Sequence, residues 1–330
     1  MRIGTRGSAL ALTQAGHVAG LLGANPPAEI ITIVTTGDRP VAPAGERPAE
    51  HPGSGEGPRG VADDKSRWVD TIEQALLAGE IDLAVHSAKD VPGELADGLS
   101  LLGAPARVGA EDVLCGVPSL DALPEGASVG TSSVRRAAQL CAAREDLRVV
   151  AIGGNVDTRL RRLGERREAS GGGEQDGLHA IVLARAGLQR LGREDEIGAV
   201  LDPARFVPAP GQGVLALEGR AGDSLVEEAV RAITDADTFA SLHAERAVAR
   251  ELGATCHTPL GAHAVPAGCG CLYLRAWVGL PDGSAWCSDE LLGGFYDPDA
   301  LGRRVAERMQ GAGAEELLRR AEEMMVVEHA

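Results

Sequence analysis

Aromatic residues are scarce in this chain: Phe, Tyr and Trp together make 2% of 330 residues. Its cores must therefore be built from Leu, Val, Ile and Ala, which the 44% apolar content supplies. Basic residues are in deficit. Lys and Arg number 32 against 48 Asp and Glu, a net charge of −16, which argues against a nucleic-acid surface and for a soluble protein. Any anion site must then be a local basic pocket inside an acidic molecule. No stretch is apolar for long enough to span a membrane. Six cysteines (Cys115, Cys141, Cys256, Cys269, Cys271, Cys287) are too dispersed for a disulfide scaffold and point to a reducing cytoplasm. Cys269, Cys271 and Cys287 match no standard zinc spacing, so no metal is expected. A faint signal-peptide look at Arg2, Arg6 and Ala9–Leu12 is broken by Thr13, Gln14 and His17. Apolar residues recur there at helical spacing instead, at Ala11, Ala15, Val18 and Leu22, which predicts a cytosolic amphipathic helix.

What is present is organised around His86-Ser87-Ala88-Lys89-Asp90-Val91-Pro92. The apolar run Ile81–Val85 before it reads as a buried strand. A strand that ends in a polar cluster and a proline puts that cluster at the carboxyl edge of a sheet, where ligands bind in open α/β folds. An isolated Lys-Asp pair is most often a solvated loop, but this one has company. Thr5-Arg6-Gly7-Ser8 follows a first strand, with Ser8 as the N-cap of the next helix. Ser128–Arg136 repeats strand, glycine turn, hydroxyls and helix. Arg135 and Arg136 then oppose the macrodipole in a helix's first turn, at a cost of a few tenths of a kcal/mol each. Local helix physics does not ask for them: either they are merely tolerated on the surface or they bind anions, and the hydroxyl cluster beside them favours binding. Val149–Asn155 repeats the pattern again and leads into a helix where Arg159 and Arg162 can share a face.

Between these units lie two polar, Gly-rich insertions, at about 39–64 and 165–177. Residues 103–109 read as a crossing between domains, and Pro208-Ala209-Pro210-Gly211-Gln212-Gly213 as a rigid bend. After about Ala232 the pattern changes. A long helix over 235–252 precedes a loop holding Cys256-His257-Thr258-Pro259. A hairpin over 272–280 and 284–287 follows, and then a helical region over 298–325. This tail reads as a separate small α+β domain. Basic side chains and hydroxyls at sheet edges suit a small ligand with several carboxylates or phosphates. Asp90, a carboxylate among cations, stays ionised and can steady a cation or pass protons. Cys256 can serve as nucleophile or attachment point.

These stretches, in this order, resemble the hydroxymethylbilane synthase (porphobilinogen deaminase) family across nearly the whole chain. They are Thr5–Ala11, Gly37-Asp38, His86–Pro92, Gly130–Arg136, Gly154–Leu160, Ala186–Leu188, Pro210–Gly213 and Cys256–Ala262. The resemblance implies an α/β fold: two α/β domains like those of type II periplasmic binding proteins, plus a small α+β C-terminal domain. The domains would cover 1–105 with 208–232, 106–207, and 236–330. It implies a transferase that joins four porphobilinogen molecules head to tail, with loss of ammonia, into hydroxymethylbilane. A dipyrromethane cofactor, thioether-linked to Cys256, would prime the chain. Asp90, with Lys89, matches the catalytic position, where a fixed carboxylate would stabilise the azafulvene cation. Arg6, Lys89, Arg135, Arg136 and Arg159 match carboxylate-binding positions. Ser8, Ser87, Thr131, Ser132 and Ser133 match hydroxyl and backbone donors, with Asn155 and Gln212 nearby, and Trp68 replaces a stacking Phe.

Some positions depart from the family pattern. Gly153 stands where an Arg is usual, the lid segment reads Asp63–Trp68, and Ala254-Thr255 precede the cysteine in place of two glycines. The resemblance further implies a cytoplasmic monomer, with possible product hand-off to uroporphyrinogen-III synthase and no nucleic-acid or membrane partner. A non-catalytic anion-binding protein of the periplasmic kind is the competing reading, and a decayed relative a third; neither would carry the covalent cofactor.

Overall fold

A computed structural model describes residues 1–23, 27–33, 66–169, 177–255, 257–268 and 270–328. The first part runs β1 (Arg2–Thr5), α1 (Ala9–Leu22), β2 (Glu29–Thr32), α2 (Ser66–Leu77), β3 (Leu83–Ser87) and β4 (Leu99–Gly103). Next come β5 (Asp112–Cys115), β6 (Ser128–Gly130), α3 (Val134–Ala143), β7 (Arg148–Val150), α4 (Val156–Ala169), β8 (Ala180–Ala184), α5 (Arg185–Arg190) and β9 (Ala199–Val200). The chain returns through β10 (Leu215–Arg220) and α6 (Ser224–Ile233). It ends in α7 (Ala236–Glu251), β11 (Leu260–Pro266), β12 (Cys271–Gly279), β13 (Trp286–Gly294), α8 (Pro298–Gly311) and α9 (Ala314–Glu328).

Two five-stranded sheets follow one plan. The first has the order β2-β1-β3-β10-β4 and the second β7-β6-β8-β5-β9. In each, four strands run parallel and one is antiparallel, and the antiparallel strand comes directly after a crossover: β5 in the second sheet, β10 in the first. Helices cover both faces of the first sheet. Ala15 and Val18 of α1 pack with Leu83, Val85 and Leu217, while Ile72, Ala75 and Leu76 of α2 pack with Ile81 and Ala84. That is why β3 reads as a continuous apolar run. The third sheet, β11-β12-β13, packs its inner face on α7 and α8. The architecture is the expected one, two α/β units joined by two crossovers and a small α+β unit.

The crossovers lie against each other and close to the turn after β3. Gly213 has φ 86°, and a Cβ there would meet Val108 O at 2.5 Å. At Gly211, φ 72°, a Cβ would meet Ala88 Cβ at 2.8 Å. Glu245 of α7, fully buried, gathers all three units at this junction. It accepts from Arg107 Nη1 at 2.6 Å, Gly211 N at 2.6 Å and Ala264 N at 2.8 Å. Arg107 Nε also donates to Gln212 O at 2.9 Å.

Several boundaries differ from expectation. The hairpin's second strand runs on to Gly294 rather than ending at Cys287. Gly293-Gly294 suggests a break, yet Gly293 leaves room for α8, since a Cβ there would meet Leu301 Cδ1 at 2.6 Å. β11 is unanticipated because Gly261 and Pro266 mask it; Gly261 sits where a Cβ would meet Val207 O at 2.6 Å. α6 is also unanticipated, and the last helical region is two helices parted at Gly313, φ 95°. The second polar insertion is helical as far as Ala169. The insertion at 39–64, Gly37-Asp38, Cys269 and residues 170–176 lie outside the described residues.

Candidate active site

β3 delivers Ser87 to the carboxyl edge of the first sheet, and Ala88–Asp90 form a 3₁₀ turn beyond it. The turn is held from three sides. Ala88 N donates to Val214 O at 3.0 Å, tying it to the returning crossover. Gln14 Nε2 of α1 lies 3.0 Å from Ser87 Oγ. Arg246 of α7 donates to the carbonyls of Val91, Pro92 and Gly93 at 3.2, 2.6 and 3.0 Å. Asp90 thus lines a solvent-open cleft with Thr5, Arg6, Ser8, Gln14, His86 and Ser87. Ser8 caps α1, accepting from Ala11 N at 3.2 Å, which leaves its O–H proton to donate. Trp68 lies in the first turn of α2.

The second sheet supplies a basic cluster. Thr131, Ser132 and Ser133 form the turn between β6 and α3. Thr131 Oγ1 accepts from Ser133 N at 3.1 Å, Ser132 Oγ donates to Ile152 O, and Ser133 caps α3, accepting from Arg136 N at 3.4 Å. Arg135 and Arg136 are buried and share one protein carboxylate, which is a departure from expectation. Arg135 Nη1 lies 2.8 Å from Asp112 Oδ2, and Arg136 Nε 3.0 Å from Oδ1. Gln212 Nε2 adds a bond to the same Oδ1 at 2.8 Å. Burial alone would raise the Asp112 carboxyl, but Arg135 and Arg136 outweigh it and hold it below the usual carboxylate range. One carboxylate between two guanidiniums leaves the pair cationic. Arg135 Nε is buried with no hydrogen-bond acceptor among the described residues.

Asn155 caps α4, its Oδ1 accepting from Thr158 N at 2.9 Å. One turn on, Arg159 Nε donates to Gly154 O at 2.8 Å. Burial, then Arg136 and Arg162, pull the Arg159 guanidinium below its ordinary value.

Five groups escaped the sequence reading. Asp112 is a single acid at the head of an apolar strand. Gln14 interrupts the apolar face of α1 while only 4% exposed. Arg190, at the end of α5, donates to Gly213 O at 2.8 Å, and burial pulls it to about 10. Beneath the turn, His86 Nε2 lies 2.9 Å from Glu218 Oε2, and burial together with Glu218 raises Glu73 beside it. A polar residue out of phase with its face is the signal for Gln14 and Asp112; nothing local marks Arg190 or Glu218. Cys256 lies outside the described residues.

Residues 1–228 match the family described as "Porphobilinogen deaminase, dipyromethane cofactor binding domain", and residues 239–311 match "Porphobilinogen deaminase, C-terminal domain". Curated proteins are similar over nearly the full chain. The porphobilinogen deaminase of Rubrobacter xylanophilus is 44% identical, covering 96% of this chain and 95% of its own. That of Thermus thermophilus is 42% identical (96% and 97%), and that of Deinococcus radiodurans 43% identical (96% and 97%).

Proposed function

The chain belongs to the porphobilinogen deaminase family, and on that premise we propose roles for its individual residues. As a member it is a transferase of tetrapyrrole biosynthesis. It condenses four porphobilinogen molecules with release of ammonia into hydroxymethylbilane, using a dipyrromethane cofactor. The non-catalytic anion-binding reading has no support from these relatives.

The donor set suits such a ligand. Pyrroles with acetate and propionate arms carry many carboxylates, and this site offers cations held by backbone carbonyls or sharing a single acid. Arg159 and Arg190 donate to Gly154 O and Gly213 O, while Arg135 and Arg136 divide Asp112. Desolvated guanidiniums of this kind gain most from an arriving carboxylate. When bound, dipyrromethane supplies a nucleophilic pyrrole carbon to which the chain is added.

The observation that carries the reading is the placement of Asp90 in the cleft beside Arg6, Ser8 and Ser87. There its carboxylate stabilises the positive charge that develops on a pyrrole as ammonia leaves, and it is oriented before the reaction begins. Lys89, Arg6, Arg135, Arg136, Arg159 and the hydroxyls of Ser8, Ser87, Thr131, Ser132 and Ser133 take the arms, with Asn155 and Gln212 holding the turns that carry them. Trp68 stacks on substrate. Cys256 bears the cofactor through a thioether. The domains divide at 1–105 with 208–232, 106–207 and 236–330.

No helix among the described residues is long and apolar enough to cross a membrane. We place the enzyme in the cytoplasm as a monomer that passes its product to uroporphyrinogen-III synthase.

The denatured intact mass of the purified protein tests the assignment, beside that of Cys256→Ala. The expected result is an excess of two condensed porphobilinogen units in the parent, absent from the variant. A bare polypeptide mass from a host that makes porphobilinogen would overturn it.

A further inference from the structure

Arg162 is placed against the electrostatics of its own helix. It lies in the second turn of α4, yet its Nη1 reaches back to donate to Gly153 O, nine residues earlier, at 3.0 Å. Helical side chains lean toward the N-terminus, so an extended arginine can run along the axis to the first turn. That end is the positive pole of the helix, the unfavourable one for a cation. Arg159 is there already, with its Nε on Gly154 O, and both Arg136 and Arg162 are close enough to it to repel its charge.

Among the described residues, three acids of this region are engaged with other partners. Asp112 holds Arg135 and Arg136, Asp157 pairs with Arg193 at 2.8 Å, and Glu165 lies 3.4 Å from Arg161. Arg159 Nε and Arg162 Nη1 donate to backbone carbonyls, which carry no net charge. Converging guanidiniums of this kind make a site for an anion. The space is there as well. Gly153, Gly154 and Asn155 are exposed, and a Cβ added to Gly153 would meet nothing within 4 Å. It is also the position at which the family pattern has an arginine and this chain has none.

We propose that Arg162 is a substrate-binding residue: with Arg159 it clamps one carboxylate arm of the pyrrole chain at the 153–155 turn, filling the place left by Gly153. The inference rests on the functional reading above and adds to it a residue and a reason for the glycine. A fork of two arginines takes a carboxylate in two directions at once, which fixes the arm and not merely its charge.

Calorimetry on the purified holoenzyme reads this without turnover. The probe is a pyrrole bearing acetate and propionate arms but no aminomethyl group. Arg162→Gln should weaken binding about tenfold, the loss expected for one charge-assisted hydrogen bond. Its thermal midpoint and cofactor mass should match the parent, and its KM for porphobilinogen should rise with kcat little changed. Gly153→Arg combined with Arg162→Gln should restore most of the affinity, because the new guanidinium enters the same open space. Unchanged affinity in Arg162→Gln would overturn the proposal. So would a lowered thermal midpoint with unchanged affinity, which would make Arg162 a brace for the Gly153 carbonyl. A double variant no better than Arg162→Gln would remove the shared place. A parent that binds the probe but lacks cofactor and turnover would sink the functional reading and leave this inference standing.

Discussion

Gln14 Nε2 and Ser87 Oγ lie 3.0 Å apart although 73 residues separate them in the chain. The bond fastens α1 to the end of β3 and so sets the height of the turn that carries Lys89 and Asp90. Gln14→Ala should cost only about 0.5–1.5 kcal/mol of stability, the net worth of such a bond. The effect on kcat/KM should be larger than stability accounts for, since the turn loses a fixed edge. Steady-state kinetics beside a thermal melt separates the two; equal small losses in both would show that the turn holds without Gln14.

Asp90→Ala should fold normally and lose about 10²–10⁴-fold in turnover, as for removal of a group that acts on charge in the transition state. Circular dichroism and an ammonia-release assay check it. Turnover near that of the parent would exclude Asp90 from the chemistry.

Asp112→Asn should destabilise the protein by about 3–5 kcal/mol, because it leaves Arg135 and Arg136 buried without a counter-charge. The pH dependence has a definite sign. The folded carboxyl titrates below its unfolded value, so its contribution is fully present above roughly pH 4 and is lost as pH falls further. The difference in denaturation midpoint between parent and variant should be constant near neutrality and shrink in acid. A difference that grows in acid would mean the pair is not ionic.

Glu245→Ala removes the acceptor shared by Arg107, Gly211 and Ala264. A loss of about 3–5 kcal/mol is expected, with one cooperative transition in the parent and a broadened or split one in the variant. Calorimetry shows which. A single sharp transition at the parental midpoint would show that the junction is held by packing alone.

Much of the architecture was legible because strand and helix signals are local. Leu83–Val85 announces a buried strand, Ser8 and Ser133 announce caps, and the structure uses both as caps. The turn residues could be picked out for the same reason. The pairing of Arg135 and Arg136 with Asp112 was not legible: their misfit with the helix dipole shows that each needs an anion, and only the fold shows that Asp112 stands between them. Glu218 and Glu73 are silent in the sequence because their neighbours come from α2, β3 and β10. Gly293 and Gly261 misled because a glycine kept for close packing looks the same as one that ends a strand.

The position of β10 between β3 and β4 sets the order in which the molecule can be made. The ribosome releases β1 through β4 early, but the strand that joins β3 to β4 emerges more than a hundred residues later, after the whole second sheet. Until then β3 and β4 each lack a neighbour, and Ala88 N lacks the Val214 carbonyl that anchors the turn of Asp90. A nascent chain stopped before Gly211 therefore presents unpaired strand edges to its surroundings and holds the turn of Asp90 less firmly. The turn of Asp90 is tied to Val214 only when the second crossover closes, so a fragment released too soon leaves exposed strand edges that are prone to misassociation.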